Sequence, residues 1–267
     1  MSRGLAAALG VEALLIAALL TLALDQYAHA QGEPLDGINS WGYRGAVAKQ
    51  RAYDETRIMM AGGTRAFEPG LPVKDTTVAH VRFMVEQWVT FDRGPVTAIN
   101  LGLVDLPRSG YADRLQQFRH LAPDVICLYV DLSKKGSVLP AQGLLTRTTG
   151  YVPSLPALSA VDRWLGGLFT ATQPASDDVS AVKDAALAGV SMAPTVIAIP
   201  EPASADEMRE RDAVLVALAP LASDTRVKIV QLKDGPPAMI AGVMQPAIAV
   251  QIETAVSAFL RARTGSR

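Results

Sequence analysis

Five short apolar runs, at residues 57–61, 96–101, 125–130, 195–199 and 227–232, alternate with stretches of helical periodicity, and this alternation narrows the fold more than any other feature. Runs of this length read as strands buried on both faces. Strands that alternate with helices lie side by side in a parallel sheet, joined by right-handed crossovers. The expected architecture is a three-layer α/β sandwich around five parallel strands. Asp75 is the expected N-cap of a first helix striped by Val78, Val81, Val85 and Trp88, and Ser109 that of a second with Leu115, Phe118 and Leu121. A third helix falls near 179–187. Ser204 and Glu207 form a capping box for a fourth that runs to about 221, and Ile248, Ile252, Val256 and Leu260 mark a last one over 247–261. Residues 137–173 are rich in Gly, Thr and Pro, with one short amphipathic piece around 158–168.

The N-terminus is a separate unit. After Met1-Ser2-Arg3, a run from Leu5 to Leu24 is broken only by Gly10, Glu12 and Thr21, which is long enough to span a bilayer. Arg3 before the run and Asp25 after it place the N-terminus inside and the remaining chain outside. Ala28-His29-Ala30 also has the small-x-small pattern of a signal-peptidase site, so cleavage after Ala30 is the alternative to an uncleaved anchor. Either way the domain is exported. The long run favours the anchor, a single pass through the cytoplasmic membrane with the domain on the periplasmic side. Glu12 reads as an intramembrane functional carboxyl or as one that snorkels to the surface. The resulting division is a signal-anchor helix at 1–30, a linker over the domain surface at 31–51, and the α/β domain at 52–267.

Composition excludes several classes. With 267 residues, of which 49% are hydrophobic, the chain has enough for one core plus the membrane-directed segment. A net charge of -1 without a basic run gives no footprint for nucleic acid. The single cysteine, Cys127, lies inside an apolar run and reads as a packing residue, and no cofactor or metal is implied.

The first strand ends in Gly62-Gly63, which reads as a sharp turn made cheap by the missing Cβ atoms. Thr64 follows, at the carboxyl edge where ligands gather in open α/β sheets. It is either a nucleophile or a hydroxyl that caps the turn. A hydroxyl needs a neighbouring base. The three histidines, His29, His80 and His120, lie in the tether and on two helices rather than in a C-terminal loop that reaches a strand end.

In order along the chain, Asn39-Ser40-Trp41-Gly42-Tyr43-Arg44-Gly45, Arg57–Phe67, Ile99-Asn100-Leu101-Gly102 and Ala122-Pro123-Asp124-Val125 resemble the successive blocks of the SGNH (GDSL-type) hydrolases, particularly exported bacterial members. The resemblance implies a five-stranded, flavodoxin-like sandwich. It also implies a serine esterase or acyltransferase with an oxyanion hole from a Gly N–H and an Asn side chain, and an Asp-x-x-His pair near the C-terminus. This chain departs at each position. Thr64 replaces the Ser, and Asp105 the second-block Gly. Asp131-Leu132-Ser133-Lys134 stands for Gly-x-Asn-Asp, putting Ser133 at the Asn, and Ile240 and Val243 occupy the Asp and His positions. A carboxylate about 4 Å from a developing oxyanion costs roughly 4 kcal/mol at an effective dielectric near 20, about a thousandfold in rate.

Arg65, Asp105, Asp131 and Lys134 crowd the same edge, either as a site for a charged ligand such as a small anion or as salt bridges filling a dead crevice. Asp234 before Gly235-Pro236-Pro237 reads as a displaced acid or a turn. Trp88 reads as core, and Trp41 and Trp164 as surface candidates for a glycan groove. The expectation is a catalytically degenerate SGNH-like domain, tethered outside the cytoplasmic membrane by its N-terminal helix and serving a membrane or envelope protein partner. The alternative is an esterase or acyltransferase acting on envelope glycans or lipids.

Overall fold

The structure, a computed structural model, describes residues 3–32, 38–89, 94–132, 143–145, 153, 155–169 and 179–264. Strands β1 (Thr56–Gly62), β2 (Val96–Asn100), β3 (Val125–Tyr129), β4 (Thr195–Ile199) and β5 (Val227–Gln231) pair in parallel in the order β2-β1-β3-β4-β5. This is the flavodoxin-like order, whose direction of winding reverses between β1 and β3. All five strands stand within a residue or two of where the apolar runs place them.

The period of two along each strand sorts the core into two layers. Ile58, Met60, Val125, Cys127, Tyr129, Val196 and Ala198 face α3 (Thr77–Val89) and α8 (Ala247–Thr264). Met59, Ala61, Ile99, Ile126, Leu128, Ile197 and Ile199 face the layer built from α4 (Ser109–Gln117), α6 (Val179–Val190) and α7 (Ala205–Leu218). Cys127 is fully buried, and burial pushes its thiol up to about 12. Trp88, expected in the core, is half-buried: its indole N–H donates to Glu253 at 3.0 Å and Arg261 lies over its ring.

Two of the three expected caps differ. Asp75 sits in the 3-10 turn Val73–Asp75, and Glu68 instead accepts the Thr77 N–H at 2.6 Å and the Thr77 hydroxyl at 2.7 Å. Ser109 is the first residue of α4 itself, preceded by a helical Arg108 with no side-chain cap bond. Ser204 does cap α7, accepting the Glu207 N–H at 3.2 Å, while the Glu207 carboxylate accepts from Ala203 at 2.8 Å.

The 31–51 stretch, expected as a connector over the surface, enters the body within its described part. Tyr43 and Arg44 are 2% exposed, and the Arg44 N–H donates to Asn100 at 2.9 Å. The Arg44 guanidinium donates to the carbonyls of Phe67, Glu68 and Leu71, so one buried side chain holds the loop after β1. A hairpin that no pattern announced, β6 (Ala238–Ile240) with β7 (Val243–Gln245), turns through Ala241 and Gly242, both at positive φ. The glycines at 62 and 63 take no positive φ. Gly62 is needed for space instead, since a Cβ there would run into the Tyr129 carbonyl and stand 2.8 Å from Ala66 Cβ.

Helix α1 (Arg3–Gly32) contains one apolar span, Leu9–Ala28, long enough to be a membrane span or a signal peptide. Leu15, Leu19, Leu20 and Leu24 on it are all exposed. Helix α5 (Pro156–Phe169) accounts for the amphipathic piece of the middle segment.

Two outcomes follow from this packing. Gly62→Ala forces a methyl between two strands and the turn above them, and overpacking of this kind costs about 1–3 kcal/mol, to be seen as a lowered thermal midpoint. Burial holds the Glu68 carboxyl above the ordinary glutamate value of 4.5, while its bonds to Thr77 and the charge of Arg44 pull the other way. The stability it contributes is therefore complete below pH 4.5 and is lost as pH rises through the raised folded-state value. Unfolding midpoints measured across mildly acidic pH should show that loss in the parent and lack it in Glu68→Gln.

Candidate functional site

The reversal of winding between β1 and β3 opens a crevice at the carboxyl edge of the sheet, and the chain leaving β1 crosses it. Gly63 leads directly into the one-turn helix α2 (Thr64–Phe67), so Thr64 is its first residue and stands half-buried at the edge. The turn is tied to β2 by Asn100, whose amide donates to Ala66 at 2.9 Å and whose carbonyl accepts the Gly102 N–H at 2.9 Å. That clamp needs a bare Gly102, because a Cβ there would lie 2.5 Å from the Phe67 nitrogen.

Asp105 meets Thr64 directly. It lies in the loop after β2 with φ 60, a left-handed conformation that suits glycine. Its backbone N–H donates to the Thr64 hydroxyl oxygen at 3.0 Å, and the Thr64 hydroxyl stands 3.4 Å from the Asp105 carboxylate. The N–H at this position is therefore engaged with the hydroxyl oxygen rather than open to a substrate carbonyl. Among the described residues, no other side chain reaches the Thr64 hydroxyl.

The remaining candidates separate. Arg65 crosses to α7 and pairs with Glu207 at 3.5 Å. Asp131, 1% exposed, follows β3, and its carbonyl accepts from Arg108 Nε at 3.0 Å. Ser133 and Lys134 lie outside the described residues. Ile240 and Val243 pair with each other across the tip of the β6–β7 hairpin. No acid–base pair can form from these two apolar side chains.

Beneath Thr64 is a polar group that local pattern did not reveal. Arg108 and Tyr111, both buried, close around Asp131, and Arg108 also pairs with Glu210 of α7. A Cβ at Gly63 would lie 3.0 Å from the Tyr111 hydroxyl and 3.3 Å from Asp131 Oδ2. Burial, and next the Asp131 carboxylate, push the Tyr111 phenol above its ordinary value, so it stays neutral. Arg108 and Tyr111 sit on either side of the α4 start, where sequence reads only a helix beginning.

His80, read from sequence only as a helix residue away from the strand end, meets the C-terminal hairpin. Its Nδ1 is 2.8 Å from Oε1 of Gln245 in β7, and it lines a cavity of about 520 Å³ with Asp234, Met244 and Pro246. Asp234 itself donates its backbone N–H to Glu201 at 2.9 Å. Thr64 does not line this cavity. His120 sits beyond the last turn of α4, 3.2 Å from the Gln117 carbonyl. Among the described residues, no cluster of three His, Cys, Asp or Glu side chains gathers to hold a metal.

No protein-family model matches the chain, and no curated protein sequence matches it. Solved structures similar to it include a carbohydrate acetylesterase family member from Sinorhizobium meliloti, with TM-score 0.41 and 12% identity over 77% of this chain and 99% of the other. A second is the native aryl esterase of M. smegmatis, with TM-score 0.38 and 14% identity over 78% of this chain and 99% of that one. A third is the acetyl xylan esterase Est2A from the rumen bacterium Butyrivibrio proteoclasticus, with TM-score 0.38 and 8% identity over 81% and 66%. The strand order rests on this chain's own pairing.

Proposed function

We propose that the chain is an SGNH-like domain, held by α1 on the extracytoplasmic side of the cytoplasmic membrane, whose hydrolase-type site is catalytically silent and which acts as a binding or accessory subunit of an envelope or membrane complex. The observation that carries this reading is the closed pair of Thr64 and Asp105. An esterase site needs a hydroxyl stripped by a base and a separate set of N–H donors aimed at the oxyanion. Here the N–H of Asp105 is spent on the hydroxyl oxygen itself, 3.0 Å away, and the Asp105 carboxylate stands 3.4 Å from that oxygen, close to where negative charge would develop. Arg3 ahead of the apolar span supports the inside-to-outside orientation of α1. The engagement of Arg65 by Glu207 counts against a ready anion site on that side of the edge.

One observation favours the enzyme reading. The Asp105 carboxylate is near enough to Thr64 Oγ1, at 3.4 Å, to receive its proton during acyl transfer to a glycan or lipid hydroxyl. An exposed carboxylate is a poor match for that task, because the proton-transfer driving force from an alcohol is small.

The two readings part on one assay. The full chain in detergent, mixed with a small activated acyl ester, is expected to hydrolyse it no faster than buffer, with Thr64→Ala indistinguishable from the parent. Turnover that disappears in Thr64→Ala establishes the enzyme reading. Extraction in mild detergent from the membranes of its own cell provides the second check. The chain should elute above the mass of its own 28.3 kDa monomer and detergent, in company with a membrane protein, whereas a lone monomer would contradict the accessory role.

A further inference from the structure

Helix α5 turns Leu158 and Leu165 part-way into the body, and its apolar face continues round to the solvent side. Its inward side carries Asp162, 5% exposed, and the buried Gly166. Asp162 accepts the Leu145 N–H at 2.6 Å, and a Cβ at Gly143 would collide with its carboxylate. The outward side carries Val161, Trp164 and Leu168, spaced three and four residues apart and exposed by 52%, 64% and 59%. A helix packed on a soluble core turns such a stripe inward. Turned outward, the stripe fits an apolar environment that the described residues do not supply.

A second observation names that environment. Asp25, in the closing turns of the apolar span of α1, is fully buried, and its carboxylate accepts the N–H of Leu155 at 2.6 Å. Leu155 is the residue before Pro156, which opens α5. Helix α5 therefore starts where the apolar span ends, and this contact holds it at the level where that span would leave the bilayer. Tryptophan prefers this interfacial layer, and a helix with one apolar face lies in it with that face toward the acyl chains.

We propose that the Val161, Trp164 and Leu168 face of α5 inserts into the headgroup and acyl-chain boundary of the bilayer that α1 crosses, giving the domain a second membrane contact. This rests on the tethered reading of α1 given above. It also requires that α1 be retained, because cleavage after Ala30 removes Asp25 and with it the acceptor for Leu155. The bilayer fits the stripe better than a protein does because the attachment to α1 presents it to lipid without any diffusional encounter.

The test uses the full chain reconstituted into vesicles of phosphatidylcholine and phosphatidylglycerol. Flotation on a density gradient reports the tether. Phospholipids brominated near the glycerol end of the acyl chain then report on Trp164, read as the difference in emission between the parent and Trp164→Phe, which removes the contribution of Trp41 and Trp88. The expected result is flotation together with loss of the Trp164 share of the emission in brominated vesicles. Leu168→Asp, at an exposed position that leaves the fold undisturbed, should float as the parent does and lose the quenching. Flotation with Trp164 emission unchanged by bromine overturns the proposal and leaves the tether standing. Failure to float overturns both. Trp164 shielded from aqueous iodide but untouched by bromolipid, in step with the protein-to-lipid ratio, assigns the face to a second copy of the chain and overturns the bilayer contact.

Discussion

Every residue of β1 is buried, and the rest of the domain is arranged by what that requires. A strand with no exposed face needs hydrogen-bonded neighbours on both edges and a packed layer on each side. β2 and β3 supply the edges, and the layers of α3 with α8 and of α4 with α6 supply the faces. Because β2 and β3 lie on opposite edges, the chain has to separate above β1, and the crevice at Thr64 is the space that this separation leaves. The close approaches there, at Gly62 and Gly102, are the cost of fitting a tight turn over two strands.

The loops around that crevice are held by buried polar side chains that bond to backbone. Arg44 fastens the loop after β1 by three carbonyls, Glu68 takes over the start of α3, and Arg108 binds the carbonyl after β3 while pairing with α7. Buried charges of this kind are tolerated where backbone carbonyls and carboxylates accept most of their hydrogen bonds, although Arg44 Nε makes none among the described residues. They rigidify the edge of the sheet without supplying a base. The Thr64–Asp105 contact lies at the same edge, with the Asp105 N–H engaged on the hydroxyl oxygen.

Two exposed apolar surfaces adjoin one another. The flank of α1 and the outward stripe of α5 are both exposed, and Asp25 joins the end of one to the beginning of the other. A domain carried on one flexible helix would sample many orientations. Under the proposal above, a second contact through α5 would restrict those orientations.

Much of the architecture was legible in the sequence. Strand and helix periodicities are local, set by side chains two to four residues apart, so the five strands, the helices that cover them and the α1 span could be read directly, and Cys127 could be placed in the core. The order of the family-like blocks placed Thr64 and Asp105 at one edge, and the left-handed backbone of Asp105 agrees with a position that suits glycine. What sequence could not give were contacts between residues far apart along the chain. Arg65 meets Glu207 across 142 positions, and His80 meets Gln245 across 165. The cap at Asp75 was misread for a related reason, since the carboxylate that caps α3 stands nine positions ahead of Thr77. The direction of the α5 stripe belongs here too. Periodicity establishes that a helix has an apolar face, but only the packing of Asp162 and Gly166 against the body decides that this face turns outward.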